Sequence, residues 1–284
     1  MPSPRPGSLR VVRSAAAVLA AAACAACLDT STLITVKPDG SGTIQQRILV
    51  STEGLEDALG GMGFKNKGTS RTAKTGGGPK AGDLRADAAR VGDGVTLVAV
   101  EPVKAAAGFE GAVATYSFRD IRKVKADQFL MPGPAGGPGG GASDDRTAFT
   151  FATTPDGTAL LSIAFDDRPG KKSKAGGGAK SSGDVSDLDD PKTREMVKSL
   201  FRGFKMGLEL EVAGDIVRTN ADHVAGRRIT LMAFDMDALL ADEARLKTLD
   251  KVLSPGVSLA EARPMLAGID GIKVNKPLVK VEFR

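Results

Sequence analysis

Two cysteines, Cys24 and Cys27, stand three apart in "VLAAAACAACLDTST", and they are the only cysteines of the 284-residue chain. Thiols at this spacing suit three chemistries: a redox pair, half of a zinc site, or an acyl acceptor. A redox C-x-x-C opens a helix after a strand in a βαβ unit, whereas this pair lies in an alanine run. Zinc needs further Cys or His ligands, and His223 is the only histidine. An acceptor for lipid fits better. Arg5, Arg10 and Arg13 precede "SAAAVLAAAA", an apolar run of about ten residues, too short to span a bilayer and of the right length for a signal-peptide core. Plain secretion is the other use of such a leader.

"AAAC" and "CAAC" each resemble the bacterial lipobox, in which small residues precede the cysteine that becomes the lipidated N-terminus. Neither has the usual Leu three residues before. Cys27 is preferred because it abuts the polar onset "LDTST" and has the longer apolar run before it; Cys24 is the second choice. Residues 1–26 are thus expected to be a lipoprotein signal peptide. Cys27 would carry fatty acyl chains such as palmitate, and the mature protein would be extracytoplasmic and membrane-anchored in the cell envelope. Leu28, in place of Asp, tilts the expectation towards an outer membrane in a cell that has one. No thiol remains for a disulfide after processing at Cys27.

The other groups that could do chemistry have simpler uses. His223, in "NADHVAG", has Asp222 beside it but no nucleophile motif to complete a triad, and a turn histidine is the expectation. "GPAGGPGGGASDD" lacks the Lys-Ser/Thr of a phosphate loop. Asp235 and Asp237 suit the start of a helix, one as its cap and one in its first turn. Asp184, Asp187, Asp189 and Asp190 lack the spacing and terminal Glu of an EF-hand loop. No cofactor, metal or catalytic residue is expected, and the chain reads as non-enzymatic.

The elements that would position these groups are mostly hairpins. "TLITVKPDGSGTIQQRILVS" turns at Asp39–Gly42, "VTLVAVEPV" and "GAVATYSFRDI" form a second pair, and "TAFTFATTPDGTALLSIAFD" turns at Pro155–Gly157. "MGLELEVAGDIVRTN" with "GRRITLMAFD" makes a fourth pair, and "KVNKPLVKVEF" a last strand. Helices are expected over "STEGLEDALGGMG", from Asp190–Pro191 through Phe204, and over "MDALLADEARLKTLDKVL". The basic helix Lys192–Lys205 suits packing on a sheet or contact with lipid head groups. The fold class expected is α+β: an antiparallel sheet of about eight or nine strands in hairpins, with packed amphipathic helices. Gly-rich mobile loops at about 65–82, 132–145 and 168–186 would interrupt a single ectodomain over 27–284.

Composition agrees with a folded core between low-complexity segments: 42% hydrophobic, with 35 glycines and 15 prolines. Of the net charge of +5, three positive charges sit in the leader. The near-neutral remainder gives no basis for nucleic-acid binding.

Several stretches together resemble the LppM-like family of bacterial lipoproteins: the Cys-Leu-Asp start with "TLITVKPDGSGTI", then "GFEGAVATYSFRDI", and above all "FRGFKMGLELEVAGDIVRTNADHVAGRRITLMAF". Gly214, Asn220 and Gly226 occupy the family's turn and bend positions. Ala213-Gly214 stands where that family usually has Pro-Gly, and Leu231 or Met232 where it has Trp. The resemblance implies an envelope lipoprotein with an α+β ectodomain that binds lipid or another amphiphile. The alternative is a structural or assembly protein of the envelope acting through protein–protein contacts.

Overall fold

The computed structural model describes residues 28–51, 81–105, 109–125, 147–165, 202–241 and 259–284, with isolated positions between 195 and 257. Within them the fold is mostly β, built from twelve strands and three short helices. The strands are β1 (Leu28–Val36), β2 (Gly42–Ser51), β3 (Thr96–Lys104), β4 (Phe109–Phe118), β5 (Thr147–Thr153), β6 (Ala159–Phe165), β7 (Lys205–Val212), β8 (Ile216–Thr219), β9 (Val224–Ala225), β10 (Arg228–Asp235), β11 (Lys273–Val274) and β12 (Leu278–Phe283). The helices are α1 (Ala81–Val91), α2 (Met236–Leu239) and α3 (Leu259–Leu266).

Two sheets divide these strands. The larger runs β11-β10-β7-β1-β2-β4-β3, with β9 alongside β10, and the smaller runs β5-β6-β12-β8. Alternate residues of both sheets point into one apolar cluster, as the two-residue period of a strand requires. One cross-strand row, Ile229–Leu210–Ile34–Ile44–Tyr116, has every side chain fully buried. Facing it from the smaller sheet are Leu161, Ile163, Val281 and Phe283.

This corrects the α+β expectation. The sheets bury one another's apolar faces and do not rely on packed amphipathic helices. Nor are all pairs antiparallel: β1 runs parallel to β7, from Asp29 opposite Lys205 to Val36 opposite Val212. Two stretches read as single strands also break and change sheet. "MGLELEVAGDIVRTN" leaves the large sheet after Val212 and enters the small one as β8. At that corner a Cβ on Gly214 would collide with the Arg284 carbonyl. "KVNKPLVKVEF" breaks at Asn275–Pro277 into β11 of the large sheet and β12 of the small one, since proline has no N–H to continue a ladder.

The expected hairpins form at Asp39–Gly42 and Pro155–Gly157. Gly40 takes φ +82°, which glycine reaches without a Cβ penalty. The Asp39 carboxylate accepts from the Ser41 N–H (2.9 Å) and hydroxyl (2.7 Å). Strand β2 buries Leu49 and Ser51 as well as Ile44 and Gln46, so both faces of the sheet are covered at that end.

The helices are the weak part of the expectation. Helix α1 falls where none was expected, and it includes Ala81 and Gly82 of the first expected loop; Leu84, Ala88 and Val91 anchor it to the main core. Helix α2 takes only four residues of the long helix expected from Met236, with helical positions again at 244, 245, 248, 251 and 252. Ser51 closes β2, and the helix expected after it lies outside the described residues. So do the helix from Asp190, apart from helical Glu195 and Lys198, the loops at 132–145 and 168–186 and the acidic run.

Candidate functional site

A cleft of about 350 Å³ opens where α3, the end of β11 and the bend before β9 meet, and its lining includes Asp222, His223, Arg263, Leu266, Ile272 and Val274. A second hollow of about 260 Å³ adjoins it across Asp222 and His223, lined also by Val224, Thr230 and Lys273. Its volume is at the low end for small-molecule sites.

Three distant parts of the chain build the cleft. Asn275 ties the bend to β10: it is buried, its amide donates to the Thr230 carbonyl (3.0 Å), and its oxygen accepts from the Asp222 N–H (3.0 Å) and the Lys276 N–H (3.0 Å). Asn220 ties the same bend to β12, donating to the Leu278 carbonyl (2.9 Å) and accepting from the Lys280 N–H (2.7 Å). The floor is apolar. Leu266, Ile272 and Val274 belong to a small cluster of their own with Leu239 of α2, packed by Phe234, Met236, Val252 and Ile269.

The rim is charged. Asp222 pairs with Arg263 through one carboxylate oxygen and with Lys276 (3.1 Å) through the other, leaving the trio with a net positive charge. Val224 and Met265 add large exposed apolar side chains beside it. This is a small amphipathic depression: hydrocarbon below, cations above.

His223 lies in the expected bend and is half-buried in this cleft. Its backbone carbonyl accepts from the Thr230 N–H (3.0 Å). The arrangement does not make a catalytic triad. Both oxygens of Asp222 are held by cations, and the Thr230 hydroxyl points to Glu209 (3.4 Å).

Asp235 caps α2, accepting from the Asp237 N–H (3.1 Å), and also pairs with Lys205 (2.8 Å); that contact raises the Lys205 ammonium above its ordinary pKa. Asp237 accepts from the Gly203 N–H (2.9 Å). The paired aspartates are therefore structural. Cys24 and Cys27 lie outside the described residues, and β1 begins at the next one, Leu28. Among the described residues no three His, Cys, Asp or Glu side chains gather as a metal site, and no helix is long and apolar enough to cross a membrane.

No family model and no curated protein matches the chain. Among solved structures, the folded domain of Mycobacterium tuberculosis LppM, determined by NMR, is similar at 13% sequence identity. The match covers 91% of this chain and 90% of that one, with a TM-score of 0.32. That is a weak likeness at the level of fold, and nothing about activity is drawn from it.

Proposed function

We propose that this chain is a non-enzymatic envelope lipoprotein, anchored through Cys27, whose β domain binds the head and upper chain of an anionic amphiphile. The observation that supports binding is the cleft, lined by apolar Leu266, Ile272 and Val274 together with Arg263 and His223, with Lys276 paired to Asp222 at its edge. Burying hydrocarbon contributes about 25 cal/mol per Å², and a cation at the mouth selects a negatively charged head group. The leader supports the anchor, since a cysteine after a short apolar run suits lipidation.

The assembly reading draws less support. Edge strand β3 carries Pro102 and a register shift that leaves Val98 62% exposed, and edge strand β8 has only four residues. Such features blunt an edge against strand addition.

The test is native mass spectrometry of membrane-extracted protein, followed by lipid extraction, with Leu266→Asp as the cleft variant and Cys27→Ala as the anchor variant. Retention of an amphiphile by the wild type and its loss in Leu266→Asp is the expected result. A wild type with no bound amphiphile and no affinity for anionic detergent would count against binding. Unchanged lipidation of Cys27→Ala would move the anchor to Cys24.

A further inference from the structure

From the register of β1 we infer that the folded domain meets the bilayer by the end of the large sheet at which β1 begins, with the Asp39–Gly42 turn pointing away from the membrane. The inference rests on the anchoring reading above and adds the surface and its orientation.

Leu28 is already paired with Val50, and from Asp29 onward β1 is hydrogen-bonded on both sides, to β2 and to β7. A strand held on both edges cannot swing as a linker does. A lipid on Cys27 would sit one peptide unit from it, about 3.8 Å between Cα atoms. The sheet end itself is therefore held at the interface. The same end carries the exit of β3 at Lys104, the entry of β4 at Phe109, the entry of β7 at Lys205 and the turn from β10 into α2.

The charged groups at this end pair with one another. Among the described residues, Asp29 pairs with Arg47 (2.9 Å), Glu110 with Lys104 (3.1 Å) and Asp235 with Lys205 (2.8 Å). Asp237 is occupied by the Gly203 N–H. These pairs leave the end close to charge balance, with the side chains of Lys104 and Lys205 83% and 51% exposed and their aliphatic stems able to lie along a lipid surface. Helix α2, at this end, contributes Leu239 to the apolar cluster that floors the cleft.

Two single-cysteine forms test the orientation: Lys104→Cys at the proposed contact end, and Lys37→Cys beside the far turn, roughly 30 Å away at about 3.3 Å per residue along β1. Each is purified as the mature chain, checked by intact mass for acylation, labelled with a fluorophore and placed in anionic vesicles bearing a head-group nitroxide. Several-fold stronger quenching at position 104 than at 37 is expected. A ten-residue Gly/Ser spacer between Cys27 and Leu28 should erase the difference. Acylated protein quenched equally at both sites, or more at 37, overturns this inference alone. A difference that survives the spacer overturns the short tether as its cause. A mature chain without acyl groups overturns the anchor and the orientation together.

Discussion

The interior between the sheets and the cluster under α3 are built from the same kinds of side chain, yet they do different work. The first is continuous across both sheets and centred on the fully buried row from Ile229 to Tyr116. The second has four buried members, Leu239, Leu266, Ile272 and Val274, and opens into a cleft rimmed by Asp222, Arg263 and Lys276. An interior packed to crystal-like density resists any change of volume. A small cluster with one open side can exchange a neighbour for a ligand at lower cost. Under the proposed function, stability belongs to the first region and ligand binding to the second.

The sharpest way to break that contrast is a matched pair of truncations. Leu210→Ala, in the central row, should cost about 4 kcal/mol, whereas Leu266→Ala should cost nearer 2 kcal/mol because its surroundings can relax towards the cleft. Urea unfolding with an unchanged slope measures both, and equal losses would mean that the two clusters are one core. Asn275→Ala comes next, at about 2 kcal/mol, for it strands the Asp222 and Lys276 N–H groups and the Thr230 carbonyl. It should also weaken amphiphile binding, since the bend loses its tie.

Smaller still is a gain within the large sheet. The Thr32 hydroxyl is buried without a hydrogen-bond partner, so Thr32→Val should stabilise by about 1 kcal/mol in the same unfolding assay. Asp222→Asn should change stability by only about 0–1 kcal/mol, because its ion pairs are partly exposed. Under the proposed function its effect falls on binding: with Arg263 freed of its carboxylate and Lys276 still on the Asn220 carbonyl, titration with an anionic detergent should show tighter binding. Unchanged affinity would remove the rim from recognition.

The smallest expected effect is an acid one. The Asp39 carboxyl lies below its ordinary value of 3.8 because the Ser41 hydroxyl and N–H donate to its charged form. A folded pKa below the unfolded one contributes stability that is complete above the ordinary value and is lost as pH falls through the lowered one. Asp39→Asn should therefore flatten the acid limb of a thermal-melting profile below about pH 4 and leave neutral pH little changed.

Much of the local structure was legible because strand and turn signals are local. Alternation in "TLITV" and the Asp39–Gly42 turn needed no distant partner, and Asp156 at the second turn is likewise bracketed by the hydroxyls of Thr154 and Thr158. Helix α1 was missed because its stripe is thin, with Leu84, Ala88 and Val91 as its core contacts. The stretch from Met236, expected as one long helix, stops after Leu239 and is helical again at 244, 245, 248, 251 and 252. The cleft was illegible because Asp222, Arg263 and Lys276 come from separate segments, and nothing near any of them announces the others.

The sequence by itself determined which segments pair as hairpins, for turn chemistry is decided by near neighbours. Tertiary structure alone decided that β1 lies parallel to β7, that the chain changes sheet at Gly214 and again at Asn275–Pro277, and that a charged rim closes over the Leu266 cluster. Those choices follow from which faces must be buried together. That is a global condition, met by long-range pairing once the hairpins exist.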